Sequence, residues 1–295
     1  MDRKIDFLII GAQKAGTTSL YDHLAGHEDL FLPIRKDLPF FVDAGSGEVR
    51  ERDFGYHYRP CNGAALLGGS FVHLLYHPES PVRIGAYNPG MRLIAMLRNP
   101  VDRAYSAYWF ARREGYEAKA SFEEALALED ERATGSMRER NELTYLGHGR
   151  YHEQLARYLE RFDRSALYLC LFEDFVAAPE AVVSDILAWL GVDPSGSRRP
   201  APGRKNASGM PRSRVLQRTL IVPPQWASTM YRAVVPRRIR YGLDRAVVAP
   251  LRALNTKPFR YPPMASETRA RLIEYFAPHN ERLGRLTGLD LGLWA

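Results

Sequence analysis

The residues best suited to chemistry fall in two short runs. Gly11-Ala12-Gln13-Lys14-Ala15-Gly16-Thr17-Thr18 sets two glycines around a tight turn, with one lysine inside it, directly before a stretch of helical spacing. A helix starting there aims its unsatisfied N–H groups and the positive end of its dipole at whatever lies over the turn, so an anion such as a phosphate fits. The Gly-x4-Gly-Lys-Ser/Thr pattern of nucleoside triphosphatases needs lysine directly after the second glycine, whereas here that position is Thr17 and the lysine is Lys14. The second run is Arg92 to Ser106. A magnesium-dependent phosphotransferase wants a carboxylate near the end of a core strand to hold the metal, but the apolar run Leu93 to Leu97 ends in Arg98. A forked guanidinium in that place recognises an anion directly, without an intervening cation. Ser106, on the helix that follows, offers a hydroxyl to the same anion, and Asp102 is the competing partner for Arg98.

These groups need elements to position them. Ile5 to Ile10 is a short apolar run ending at Gly11, and Leu20, Tyr21 and Leu24 follow at helical spacing, giving strand, turn and helix. Leu93 to Leu97 predicts a second buried strand, with Asn99 as helix cap, Pro100 in the first helical position and a helix reaching about Arg113. Ser121 to Glu124 has a capping-box pattern, and Tyr151 to Phe162 carries Leu155, Tyr158, Leu159 and Phe162 on one face. Leu167 to Phe172 predicts a third strand, and Pro179 to Leu190 a helix that Gly191 ends. Alternating strands and helices imply an α/β fold: a P-loop-like parallel sheet flanked by helices on both faces. Beyond a loop at 193–205, Ile239, Leu243, Val247, Leu251 and Leu254 share an arc that Pro250 must break or kink. Ser266 caps a last helix with an interruption expected at Ala277-Pro278. A single domain over residues 1–295 with a helical C-terminal extension is expected.

Composition narrows the function classes. With 295 residues, 45% of them apolar, a large core is available and a folded chain is expected. The net charge of +7 is concentrated between Arg204 and Arg260, where 13 basic residues face the single acid Asp244. Cys61 and Cys170 are too few for a disulfide framework, and no Cys/His cluster has zinc-ligand spacing, so a reducing, metal-free interior is expected. The first residues lack the apolar stretch of a secretory signal and no uncharged stretch reads as a membrane span, which favours a cytoplasmic protein. The Ala- and Arg-rich usage suggests a bacterial source.

Gly11 to Leu20, together with Arg92-Leu93-Ile94-Ala95-Met96-Leu97-Arg98-Asn99-Pro100-Val101-Asp102-Arg103-Ala104-Tyr105-Ser106, resembles the sulfotransferases that use 3′-phosphoadenosine 5′-phosphosulfate (PAPS). The likeness is greatest to the branch holding heparan sulfate sulfotransferases and many bacterial enzymes. Gly149-Arg150-Tyr151, Glu173-Asp174-Phe175, Trp189-Leu190-Gly191 and the closing Leu286 to Trp294 look like later landmarks of that family. The resemblance implies that Gln13, Lys14, Ala15, Gly16, Thr17, Thr18 and Ser19 cradle the 5′-phosphosulfate, and that Arg98 and Ser106 hold the 3′-phosphate. It makes Lys14 catalytic, beside the bridging oxygen as the sulfuryl group departs. It implies no metal. Lys36-Asp37-Leu38-Pro39-Phe40-Phe41 occupies the place where relatives carry Lys-Glu-x-x-Phe-Phe, so Asp37 is the candidate general base, with His23 as the alternative. Asp37 pairing with Lys36 or Arg35 on a solvated loop is the plain structural reading. Gly68-Gly69-Ser70-Phe71-Val72 departs from the relatives' Gly-Glu-x-Ser-Pro and suggests a less polar acceptor pocket. Lys205 and Arg212, with Arg214 beside them, resemble a late loop over the cofactor.

The expected reaction moves a sulfuryl group to a hydroxyl, less readily an amine, of a glycan, lipid or small-molecule acceptor. A metal-dependent P-loop kinase is the alternative enzyme, disfavoured by Thr17 and Arg98. The 204–260 charge could instead mark a non-enzymatic surface for nucleic acid or membrane. It holds Trp226, Tyr231 and Tyr241 but no groove-reading motif, so no nucleic-acid partner is expected, and peripheral membrane contact through Arg237, Arg238 and Arg240 stays open.

Overall fold

The computed structural model describes residues 3–34, 36–42, 57–58, 61, 63–196, 209–213, 230, 234–235 and 249–294. In chain order the strands are β1 (Phe7–Gly11), β2 (Leu30–Phe31), β3 (Leu66–Ser70), β4 (Arg92–Leu97), β5 (Leu167–Leu171), β6 (Gly209–Pro211) and β7 (Thr256–Pro258). The α-helices begin with α1 (Thr17–Leu24), α2 (Ser80–Tyr87), α3 (Pro100–Glu114), α4 (Phe122–Leu126), α5 (Glu129–Ala133) and α6 (Met137–Glu142). They continue with α7 (Tyr151–Leu159), α8 (Phe172–Ala177), α9 (Pro179–Trp189), α10 (Ala249–Leu254) and α11 (Ser266–Thr287).

The chain divides into two compact units, one of Met1–Arg103, Gly147–Gly203 and Ala270–Ala295, the other of Ala104–Leu146 and Arg204–Arg269. The first holds a five-stranded sheet in the order β2-β3-β1-β4-β5, parallel throughout. Helices flank this sheet, and β1 is buried along its whole length, which is why it reads as a continuous apolar run and not as an alternation. β1 is central and β4 lies beside it, so the two turns that carry Lys14 and Arg98 leave the same, C-terminal edge at neighbouring positions. That edge is where open parallel sheets place their ligands. The core beneath is built from Phe7, Ile9, Leu20, Ile94, Leu155, Ile186 and their neighbours.

In the second unit β6 and β7 form an antiparallel pair, and a buried acidic group organises the short helices. Glu117 accepts from both terminal nitrogens of Arg132 at 2.8 and 2.9 Å and from the Tyr145 hydroxyl at 2.7 Å. Burial and this carboxylate push the tyrosine well above its ordinary range.

Several expectations need adjustment. Pro278 does not interrupt α11, which is continuous from Ser266 to Thr287; the buried Phe276 and Leu283 on either side anchor it against the cost of one missing hydrogen bond. Ser121 does cap a helix, accepting from the Glu124 amide at 3.2 Å, but α4 has only five residues. Phe172 opens α8 instead of closing β5. Pro250 lies in α10, where Leu251 and Leu254 are exposed. Ile239, Leu243 and Val247 lie outside the described residues. β3 escapes any apolar-run criterion because two glycines form its middle. A Cβ on Gly68 would lie 2.2 Å from the Phe7 ring, so the strand trades side chains for close approach to β1.

Candidate active site

The first loop is fixed at both ends by the sheet. β1 and β4 stay in register through Ile9 and then shift, so that Gly11 stands opposite Ala95. The Ala12 amide next donates to the Met96 carbonyl at 2.7 Å, tying the turn to the end of β4. Lys14 (φ 67°) and Gly16 (φ 86°) both take the left-handed conformation. At Gly16 only hydrogen fits, since a Cβ would lie 2.8 Å from the Phe172 ring. α1 therefore starts directly from the turn, with no side-chain cap and no acidic residue in its first turn. Its leading amides and dipole face outward with nothing negative of their own, which suits an anion.

Arg98 closes the turn from the β4 side. Its Nη1 donates to the Lys14 carbonyl at 3.0 Å, and its guanidinium sits 4.7 Å from the centroid of Phe172, the ring that also confines Gly16. The Tyr151 hydroxyl donates to the Arg98 carbonyl at 3.0 Å; burial pushes this tyrosine up to about 12. Asn99 performs the capping expected of it, accepting from the Val101 amide at 3.0 Å, while its own amide donates to Glu173 Oε1 at 3.1 Å. Arg98 is thus held from both neighbours and aimed back at the loop, with a carbonyl rather than Asp102 as its partner at 3.0 Å.

A third segment arrives on the other side of β1. After β2, the chain returns to the edge of β3 through an isolated parallel bridge between Asp37 and Ser70, and the Leu38 amide donates to the Ser70 carbonyl at 3.2 Å. Lys36 then reaches α1: its Nζ donates to Thr18 Oγ1 at 2.8 Å and to Thr17 Oγ1 at 3.2 Å. Burial lowers its pKa from the ordinary lysine value, with Asp37 and Asp22 acting in the opposite sense. Tyr21 of α1 also feels Asp37; its pKa is raised, first by burial and then by the Asp37 and Asp22 charges. Asp37 is exposed, and the Ser70 hydroxyl beside it is buried without a hydrogen-bond partner among the described residues.

The structure brings Lys14, Gly16, Thr17, Thr18, Lys36 and Arg98 together around one turn, with Gln13 and Ala15 buried beneath and Ser19 exposed on α1. Asp37 joins them through its neighbour Lys36. His23 is tied within α1, its Nδ1 2.7 Å from the Ser19 carbonyl, with its ring edge-on to Phe175. Ser106 is half-buried on α3 within the second unit, and Arg212 is exposed there beside β6. Lys205, Arg214, Trp226, Tyr231, Tyr241 and the Arg237, Arg238 and Arg240 cluster lie outside the described residues. Lys36 and Phe172 are the contributions that sequence reasoning missed. The only signal for Lys36 was its position next to the candidate base, and for Phe172 its place where a strand gives way to a helix.

This geometry offers three cationic residues, Lys14, Lys36 and Arg98, and a helix N-terminus to a phosphate-like group, with a carboxylate on the adjoining sheet edge. A sulfotransferase domain model matches residues 73–204, a span that contains the β4 to α3 junction. The chain is 26% identical over 297 residues to mouse bifunctional heparan sulfate N-deacetylase/N-sulfotransferase 4, covering 95% of this chain and 29% of the relative. It is 25% identical over 295 residues to human bifunctional heparan sulfate N-deacetylase/N-sulfotransferase 3, covering 97% of this chain and 30% of that one. It therefore spans under a third of the length of either relative. The crystal structure of a sulfotransferase from Alicyclobacillus acidocaldarius superposes with a TM-score of 0.69 at 27% identity over 99% of both chains. Together with a turn whose lysine stands before the second glycine and an arginine directly after a core strand, these likenesses make the chain similar to sulfotransferases.

Proposed function

We propose that this enzyme transfers the sulfuryl group of PAPS to a hydroxyl of a glycan, lipid or small-molecule acceptor. The observation that carries this reading is the Arg98 guanidinium donating to the Lys14 carbonyl, which places two cations on one anion-receptive turn. The turn fits the donor: a glycine that admits no side chain, uncapped amides at the start of α1, and no acid in its first turn. Lys14 and the leading amides of α1 hold the phosphosulfate, and Lys36 is placed at the Thr17 and Thr18 hydroxyls to assist them. Arg98 holds the 3′-phosphate.

In the reaction an acceptor oxygen attacks sulfur in line with the bridging oxygen of the donor. As the new S–O bond forms, the bond to the 5′-phosphate breaks and its electron pair passes to the phosphate oxygen, where the Lys14 ammonium meets the growing charge. Asp37 takes the acceptor's proton. The products are a sulfate ester and adenosine 3′,5′-bisphosphate. A second reading, transfer to an amine, is favoured by the names of the relatives, which describe N-sulfotransferases acting on heparan sulfate. Incubation with labelled donor and a panel of hydroxyl and amine acceptors should release adenosine bisphosphate in step with labelled product. Magnesium-dependent ATP consumption without donor binding would replace the proposal with a kinase.

The division of labour between the two cations gives a separate expectation. Arg98→Ala removes charge-assisted hydrogen bonds to a phosphate remote from the breaking bond, each worth about 1.5–3 kcal/mol. Adenosine bisphosphate should therefore bind roughly 10–100-fold more weakly by calorimetry, with turnover at saturating donor largely kept. Turnover lost at saturation with unchanged nucleotide affinity would assign Arg98 to shaping the Lys14 loop instead.

A further inference from the structure

Outside the candidate active site, the first unit gathers three metal-ligating side chains that are far apart in sequence. His152 and Glu153 open α7, and His279 follows Pro278 on α11. The Glu153 carboxylate stands between the two rings, its Oε1 3.9 Å from His152 Nε2 and 3.9 Å from His279 Nδ1. One ligand atom from each residue lies within 4.8 Å of the others, and the ring centroids are 5.0 Å apart. Metal–ligand bonds of about 2.0–2.2 Å in a tetrahedral zinc site put neighbouring ligand atoms roughly 3.4 Å apart. Coordination would draw the three side chains together by that difference.

Two further features mark the cluster as more than a surface coincidence. His279 Nδ1, the atom facing the carboxylate, is buried and has no hydrogen-bond partner among the described residues; the same holds for His152 Nδ1. Buried polar atoms are ordinarily satisfied, and a cation held between these imidazoles and the carboxylate would satisfy the ring nitrogen that faces it. The frame is also rigid. Arg150, just ahead of α7, donates from Nε to the Tyr275 hydroxyl at 2.9 Å, one helical turn before His279, and the buried Phe276 packs where a Cβ on Gly149 would lie 2.7 Å away. Burial lowers the pKa of both imidazoles, with Arg150 and Arg282 acting in the same direction and Glu153 against them. The two arginines moderate affinity for a cation without blocking the ligands.

We propose that His152, Glu153 and His279 form a transition-metal site, separate from sulfuryl transfer, that takes Zn2+ or a metal of similar ligand preference and clips α7 to α11. Two imidazoles and one carboxylate suit zinc, nickel or copper and not the oxygen-loving Mg2+ or Ca2+. Three protein ligands leave further positions to water, so the metal is exchangeable. The test uses the full chain, free of any histidine tag and stripped with chelator. Titration with Zn2+ in competition with a chromophoric chelator should show one ion per chain, and Co2+ should give visible d–d bands that Zn2+ bleaches. His152→Gln and His279→Gln should each weaken Zn2+ binding at least about tenfold and abolish the Co2+ bands. Circular dichroism of the metal-free variants checks their fold; should either fail to fold, Glu153→Gln, on a side chain 45% exposed, reads the same loss. Equal Zn2+ affinity in the variants, or no binding by the parent at roughly 0.1 mM Zn2+, would overturn the site.

Discussion

Lys14→Ala should lower turnover at saturating donor by about 10²–10³-fold while changing adenosine bisphosphate affinity only a few-fold. An electrostatic donor aimed at charge that appears only in the transition state acts on turnover, and removal of one such donor costs about 2.7–4 kcal/mol. The backbone features of the loop survive the substitution. Ala12 still donates to Met96 at 2.7 Å and Arg98 still reaches the residue-14 carbonyl at 3.0 Å, because both contacts use main-chain atoms of the loop. Alanine also meets the left-handed φ of 67° on the same steric terms as lysine, so the variant removes a charge and not a turn. Lys36 cannot simply replace it, since its ammonium is engaged by the Thr17 and Thr18 hydroxyls at 3.2 and 2.8 Å. Single-turnover rates with preloaded donor, paired with calorimetry of the product nucleotide, separate the two effects. A loss of affinity equal to the loss of rate would move Lys14 from the chemical step to ground-state binding.

That separation depends on a turn whose shape is largely local, which is why so much of it could be read from the chain. The apolar runs of β1 and β4 state that both strands are buried, and Gly16 and Asn99 state where each turn must give way to a helix. Arg98 in place of a strand-end carboxylate was enough to set the charge of the site. What stayed hidden depends on contacts between distant segments. β3 has no apolar signature because Gly68 is there to admit the Phe7 ring, a fact that belongs to the pairing and not to the strand. Lys36 reads as one more charge on a polar loop until the bridge from Asp37 to Ser70 carries it to α1. His152 and His279 belong to helices that meet only in the folded chain, so no spacing rule for zinc ligands could pair them. Pro278 misled in the opposite sense, since a local rule gave way to the anchoring of Phe276 and Leu283.

Asp37→Asn should depress turnover by about 10²–10⁴-fold, the usual worth of a positioned general base, and leave donor affinity nearly unchanged. The bridge to Ser70 fixes the backbone at residue 37 to the sheet edge, and Lys36 anchors the preceding residue to the first turn of α1, so the carboxylate is carried by two fixed points rather than by a loose loop. Asparagine keeps the shape and gives up the basicity. His23, the other candidate, has Nδ1 2.7 Å from the Ser19 carbonyl of its own helix, and His23→Gln should therefore change turnover by less than about threefold. Asp37→Glu adds one methylene and keeps the carboxylate, and partial activity in that variant with none in Asp37→Asn would identify proton acceptance as the lost function. A thermal midpoint unchanged in both variants excludes a folding origin. Full turnover in Asp37→Asn with a collapse in His23→Gln would transfer the base to α1 and leave Asp37 as the electrostatic partner that Lys36 and Tyr21 already feel.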